Sequence, residues 1–330
     1  MRSLLAITIT ATMVLLLSSG PLAAQNVVTL KFPYEGTEMA IKGRSATLLN
    51  EKVKEYSGGT LTIDIYPGSS LIPAKDEVRA VIRGQVDIVS QQTSYHVPYN
   101  PAWDLFYQPL LFDSAKEGMD TFSGSIGQEL LDSVQRVGLR GLGAWHDGPG
   151  YLYSTEKPVT EPKQLVGRNV RVFPSAPLEE AIRLAGGIPV SMPGPDVFLA
   201  IQQKLVTEAI SSIAFSASQR WYEVVVAATR MPMFVGGYAV VINENSWKKL
   251  SPEHQEILVR AMDEVNQWNY EETFRNILAA EKIMMDNGVQ LVDLTPEQLA
   301  EWRATFAPVY EKQPPEIREL TKRIQDARKN

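Results

Sequence analysis

The sequence has no cysteine among its 330 residues and only three histidines. The first absence excludes disulfide staples, thiol nucleophiles, thiolate metal sites and lipid attachment through an N-terminal cysteine. His96, His146 and His254 are scattered, and none stands in a metal-ligand spacing such as H-E-x-x-H. No metal and no cofactor are expected. Basic residues are not in excess either. The 32 Lys and Arg against 38 Asp and Glu give a net charge of −6, which argues against a general nucleic-acid binder. A G-K-[ST] phosphate loop is missing. Gly141-Leu142-Gly143 lacks both a third glycine and a following helix, so it is no dinucleotide fingerprint. Gly124-Ser125-Ile126-Gly127 is not a nucleophile elbow, because Ser123 stands two residues before Ser125. An enzyme is therefore not expected. A secreted hydrolase or lyase built from scattered acids is the competing class, and no motif points to one.

Long apolar runs are also scarce. The one that exists extends from Leu4 to Leu17 behind a lone charge, Arg2. It is too short for a mature membrane span and has the length of a signal-peptide core. Ser18-Ser19-Gly20-Pro21 breaks any helix, and Ala23-Ala24 offer small residues to a peptidase, although Pro21 and Leu22 make the cleavage box imperfect. An N-terminal anchor is the other reading; the short core favours export with cleavage near Ala24. Removing residues 1–24, Arg2 among them, leaves 306 residues with a net charge of −7. Elsewhere no stretch approaches the ~18 consecutive apolar residues of a span. An exported chain without disulfides relies on its cores, and this length suits two domains.

What is present is alternation. Val27–Phe32, Leu61–Tyr66 and Val86–Ser90 read as strands, with helices over Ala40–Tyr56 and from Pro73 to Arg83 between them. The layout recurs with a strand over 170–173, helices over Leu178–Ala185 and Asp196–Lys204, and a strand over Val206–Ile210. Such alternation predicts an α/β protein with a parallel or mixed sheet covered on both faces. Ser251 as N-cap and Pro252 in the first turn open the longest helical pattern, which Asn287-Gly288 stops. Its 35 residues would span about 52 Å, more than one compact domain, so the helix should run along both lobes. Thr295-Pro296-Glu297-Gln298 predicts a capping box and one more helix.

One basic residue is out of place. Arg171 lies inside an apolar strand between Val170 and Val172. A buried guanidinium needs an anion, since burying it unpaired costs several kcal/mol. Two readings are open: a structural ion pair with one of the 38 acids, or a bidentate clamp for a ligand carboxylate.

The segment around this arginine also carries a resemblance. Lys157-Pro158-Val159 is followed by Leu165-Val166-Gly167-Arg168-Asn169-Val170-Arg171-Val172, then by Gly186-Gly187-Ile188-Pro189-Val190-Ser191-Met192-Pro193 and Asp196-Val197-Phe198. With Gly84-Gln85-Val86-Asp87, Pro109-Leu110-Leu111-Phe112 and Trp221-Tyr222-Glu223-Val224 in the same order, the chain resembles the C4-dicarboxylate-type solute-binding proteins of tripartite ATP-independent periplasmic (TRAP) transporters. The resemblance implies a two-lobed periplasmic-binding-protein fold of type II-like α/β architecture, with a long helix spanning both lobes. It implies lobe I from 25–148 with 237–276, and lobe II from 149–236 with 277–330. It further implies a monomeric, non-enzymatic protein of the periplasm that closes on a small organic acid and hands it to the TRAP membrane permease. Arg171 matches the family's carboxylate clamp.

The departures from the pattern bear on the ligand. Many relatives carry a second arginine where this chain has Gly148-Pro149-Gly150-Tyr151. Pro193-Gly194-Pro195 replaces a common aromatic, and Ser211 stands in place of the usual ligand-facing asparagine. Glu35 and Gln92 occupy the first-lobe positions that face ligand, while Tyr34, Trp145, Tyr151 and Phe173 are candidate walls. Fewer polar groups imply a monocarboxylate with an aromatic or branched apolar body. A C4-dicarboxylate, or presentation of the ligand to a sensor kinase, are the alternatives.

Overall fold

The computed structural model describes residues 27–329; the expected signal peptide lies outside them. The first lobe opens with strand β1 (Val28–Pro33), helix α1 (Ile41–Tyr56) and strand β2 (Leu61–Tyr66), and β1 and β2 pair in parallel. Helix α2 (Glu77–Ile82) leads into strand β3 (Ile88–Gln92), followed by helices α3 (Ala115–Ser123) and α4 (Ser125–Ser133). Asp87 ties β1 to the neighbouring β3, its carboxylate accepting from Lys31 N at 2.8 Å.

Strand β4 (Leu139–Ser154) is 16 residues long and belongs to both lobes. The second lobe continues through β5 (Asn169–Val172), α5 (Ala176–Leu184), β6 (Ile188–Ser191), α6 (Val197–Gln202), β7 (Glu208–Ser212) and α7 (Ile213–Ser218). Strand β8 (Ala227–Arg230) precedes β9 (Val235–Asn243), which returns to the first lobe and is followed by α8 (Glu244–Lys249). Helix α9 (Pro252–Asp286), strand β10 (Gln290–Asp293), helix α10 (Pro296–Glu311) and helix α11 (Pro315–Ala327) complete the order.

The pairing shows why β4 matters. Its first part, Leu139–Pro149, runs antiparallel to β9, which also pairs with β3. Its last part, Gly150–Ser154, runs antiparallel to β7 and β8. The register shift between His146 and Pro149 marks the passage from one sheet to the next. In the second lobe the order is β10-β8-β4-β7-β5-β6.

Strands β3, β7 and β9 are buried at every residue, as a sheet covered on both faces requires. In lobe I, α1 and α9 cover one face around Leu30, Leu49, Val240 and Met262. In lobe II, α6 and α7 cover one face around Tyr153, Val197, Ile213 and Trp221. A third cluster, from Trp103 and Phe122 through Tyr107 and Phe234 to Leu178 and Trp302, is continuous across both lobes. Helix α10 packs on α5, and α11 packs on the turn at 101–107, so the chain's last two helices also join the lobes.

The long helix has the predicted bounds: Ser251 Oγ accepts from His254 N at 3.1 Å and Pro252 fills the first turn. It contacts α1, β4 and α7 and therefore spans both lobes. The capping box at Thr295 and Gln298 is formed. The expected strand at Val206–Ile210 is displaced to Glu208–Ser212, because Leu205 N closes a turn on Ala200 O and pairing with β4 continues to Gly150 opposite Ser212. Among the described residues no helix is long and apolar enough to cross a membrane.

Candidate functional site

Within β5, Val170 and Val172 point into the shared core and Arg171 points to the opposite face. Its backbone lies between Ala209 of β7 and Val190 of β6. The side chain has no exposed surface. Nε and Nη2 donate to Met192 O at 3.2 and 2.9 Å, and Nη1 donates to Ile210 O at 2.7 Å. The Phe173 ring lies 4.1 Å from its Cζ. Among the described residues no carboxylate lies within ion-pair distance of it, so the structural ion pair is not formed. Burial lowers its pKa to about 10, opposed by Tyr95 and Glu35; it stays protonated at neutral pH. A guanidinium has five N–H donors. With three taken by carbonyls, one remains on each terminal nitrogen, free for an oxygen acceptor.

Across the cleft, lobe I presents a set of buried polar residues. Glu35 follows β1, Lys42 is in α1, Glu77 in α2, Asp147 in β4 and Tyr238 in β9, and each is nearly or wholly inaccessible. Lys42 Nζ is 3.6 Å from Glu35 Oε1 and 3.9 Å from the centre of the Tyr238 ring. Neither Lys42 Nζ nor Glu35 Oε2 makes a hydrogen bond. Tyr238 OH donates to Asp147 Oδ2 at 2.8 Å, and Ser212 Oγ of lobe II donates to the same oxygen, which ties the lobes together. Glu35 reaches lobe II as well. A Cβ on Gly194 would lie in ordinary contact with Glu35 Oε2, at 3.7 Å, and only 2.8 Å from Phe215 Cζ, so the glycine makes room for the Phe215 ring. Burial pushes Asp147 up to about 6, and Glu77 well above the usual carboxylate range. Gln91 Nε2 donates to Glu77 at 3.1 Å.

The residues singled out from sequence divide by what they touch. Gln92 accepts from Tyr107 OH at 2.7 Å, and the Tyr107 ring is 5.7 Å from Phe173. Gln92, Phe173 and Arg171 thus form one connected wall. Ser211 shares the sheet face of Arg171, two residues beyond Ala209, and its Oγ is buried without a partner. The charge of Glu35 acts on Arg171 from lobe I. Trp145 is fully buried opposite Tyr238, with its ring 5.9 Å from Phe32 in the lobe I core, yet its Nε1 also lacks a partner. Tyr34 is buried with an unpartnered hydroxyl, which burial pushes up to about 12. Tyr151 is directed elsewhere: its hydroxyl donates to Glu281 of α9 at 2.8 Å, where Arg230 also pairs at 2.6 Å.

Sequence reasoning missed Lys42, Glu77, Tyr95, Tyr107, Asp147 and Tyr238. Lys42 was readable, since it lies on the stripe Lys42, Ala46, Leu49, Val53 that α1 buries. The others stand in strands and turns whose neighbours only the fold determines. Among the described residues no group of His, Asp or Glu is arranged to hold a metal ion.

Two α/β lobes sharing a strand, with a buried cation on one and unpartnered polar atoms on the other, are the architecture of a solute-binding protein. The model of bacterial extracellular solute-binding protein family 7, DctP, matches residues 32–315, and the chain belongs to that family. It is similar to the C4-dicarboxylate-binding protein DctB of Bacillus subtilis, 29% identical over 310 residues, covering 93% of this chain and 88% of the relative. The TRAP periplasmic solute-binding protein of Shewanella oneidensis with bound succinate superimposes with a TM-score of 0.87 at 26% identity, covering 90% of this chain and 98% of that one. A galactonate complex from Advenella mimigardefordensis shares the fold with the same TM-score at 20% identity, covering 92% and 98%.

Proposed function

We propose that this chain captures a small organic monocarboxylate with an aromatic or branched apolar body in the periplasm and delivers it to a TRAP permease. The observation that carries the reading is Arg171, inaccessible, held by backbone carbonyls, with two free N–H groups and no acid beside it. One ligand carboxylate satisfies both donors and neutralises the charge in a site where water is excluded. The Phe173 ring lies against Arg171 and offers apolar surface, held by Tyr107 and Phe234 with ring centres 5.2 to 5.7 Å apart.

The second buried cation, Lys42, is already matched by Glu35. A dicarboxylate's far end would meet Glu35 Oε2, which makes the lobe I wall unfavourable to a second anion. The succinate-bound relative from Shewanella oneidensis supports the C4-dicarboxylate as the competing reading. A thermal-shift screen of organic acids separates them: monocarboxylates should raise the melting temperature, and stabilisation by succinate or malate alone would defeat the proposal. Arg171→Ala should abolish the stabilisation, and near-normal affinity in that variant would remove the clamp.

A further inference from the structure

A groove of about 380 Å³ lies at the mouth of the cleft, bounded by Val78, Tyr95 and Val97 from lobe I and Pro174, Met192 and Pro193 from lobe II. Its walls are mainly apolar, and it is formed by both lobes together. One residue joins it to the clamp: Met192 lines the groove and carries the carbonyl that holds Arg171 Nε and Nη2. Tyr95 stands in the turn Thr93–His96 directly after Gln92, and its hydroxyl is buried without a hydrogen-bond partner. The charges of Arg171 and Glu35 both act on that phenol, so it stands within reach of a charged group of each lobe. A donor left unpaired in such a place is costly unless a ligand atom meets it.

We infer that this groove continues the carboxylate site and takes the apolar body of the ligand, with Tyr95 as a specificity-determining residue whose ring walls the groove and whose hydroxyl donates to the carboxylate that Arg171 holds. The inference rests on the monocarboxylate reading above. It specifies that reading as an elongated acid, with the head at Arg171 and the tail running out between Tyr95 and Met192-Pro193. A volume of 380 Å³ is within the range of small-molecule pockets.

The test uses the mature chain and straight-chain saturated monocarboxylates from butyrate to octanoate, with affinity read by calorimetry. Affinity should rise with length, by up to about fourfold per fully buried methylene. Ser191 is exposed and lines the same groove. Ser191→Trp should fill the groove, lowering octanoate affinity at least tenfold while changing butyrate affinity less than about threefold. Tyr95→Phe keeps the ring and should weaken both acids about tenfold, the loss of one hydrogen bond to a charged group. The groove is overturned if octanoate binds no tighter than butyrate, if neither binds, or if Ser191→Trp weakens both equally or neither. Unchanged affinities in Tyr95→Phe overturn the role of the hydroxyl. A failure of the clamp reads out separately, as Arg171→Ala binding both acids normally.

Discussion

The buried charges set the chemistry at the level of single residues. Lys42 is 1% exposed and its Nζ makes no hydrogen bond, so the nearby Glu35 carboxylate and the Tyr238 ring are what hold its charge. Lys42→Met leaves Glu35 buried without its cation and should lower stability by about 3 kcal/mol or more. Adding Glu35→Gln should recover part of that loss in urea denaturation; no recovery would mean that the two do not act as a pair. Protons offer a second check. Burial pushes Asp104 and Asp147 up to about 6 and lowers His96 to about 4 and His146 to about 3. An acid that holds its proton more tightly when folded makes stability fall as pH rises from about 4 to 6. A histidine that releases its proton more readily when folded makes stability rise over about 4 to 6.5. The two pairs oppose each other, and Glu77, which burial also holds protonated, adds to the falling side. Asp147→Asn removes one falling contribution while keeping an acceptor for Tyr238. Its stability should therefore climb by about 1–3 kcal/mol more than the parent's between pH 4 and 6.5. Chemical denaturation at stepped pH measures this, and parallel curves would contradict it. Arg171 itself was legible because a charge inside an apolar strand conflicts with its surroundings. Tyr238 and Asp147 were not, since each looks ordinary until β4 and β9 are paired.

Among the elements, the sequence was readable wherever local chemistry decides the outcome. Helix α9 runs from Pro252 to Asp286, as its cap, first-turn proline and terminal Asn287-Gly288 imply. Strand β4 was invisible for a physical reason. Leu139–Ser154 holds five glycines and prolines in Gly141, Gly143, Gly148, Pro149 and Gly150, which depress strand propensity, and only its partners hold it extended. Those glycines serve close packing: a Cβ on Gly150 would come 2.1 Å from the Phe234 ring, and one on Gly143 2.2 Å from Asn266 of α9. Gly237, opposite His146 in β9, meets backbone rather than a side chain, because its Cβ would come 2.1 Å from the backbone oxygen of Trp145. Gly237→Ala cannot be absorbed by a side-chain rotation. It should cost about 1–3 kcal/mol and displace the two strands, seen as a lower melting temperature with weakened binding, since Asp147 and Tyr238 flank the same pairing. A variant as stable as the parent would show that the strands separate freely.

For the whole molecule, the proposed clamp at Arg171 would link ligand to shape. The lobes meet through Glu35 against Gly194 and Phe215, and through Ser212 on Asp147. They are joined by β4 at Gly148-Pro149-Gly150, where the register shifts, and by β9 and α9. In this closed arrangement Arg171 has no exposed surface and no acid partner. Closing over it without an anion costs several kcal/mol, and that cost vanishes when a carboxylate arrives. The free protein should therefore favour an open form, and the ligand draws it closed by its better fit to the closed one. Small-angle scattering should show a smaller radius of gyration on saturation with the most stabilising acid. Arg171→Leu gives the sharper test, because it removes the buried charge and leaves apolar bulk near Phe173. That variant should be compact whether or not the acid is added, although it no longer binds. If the ligand-free parent already scatters as the closed structure does, or if Arg171→Leu remains expanded, then the unpaired guanidinium does not hold the cleft open and the closing force must come from elsewhere in the interface.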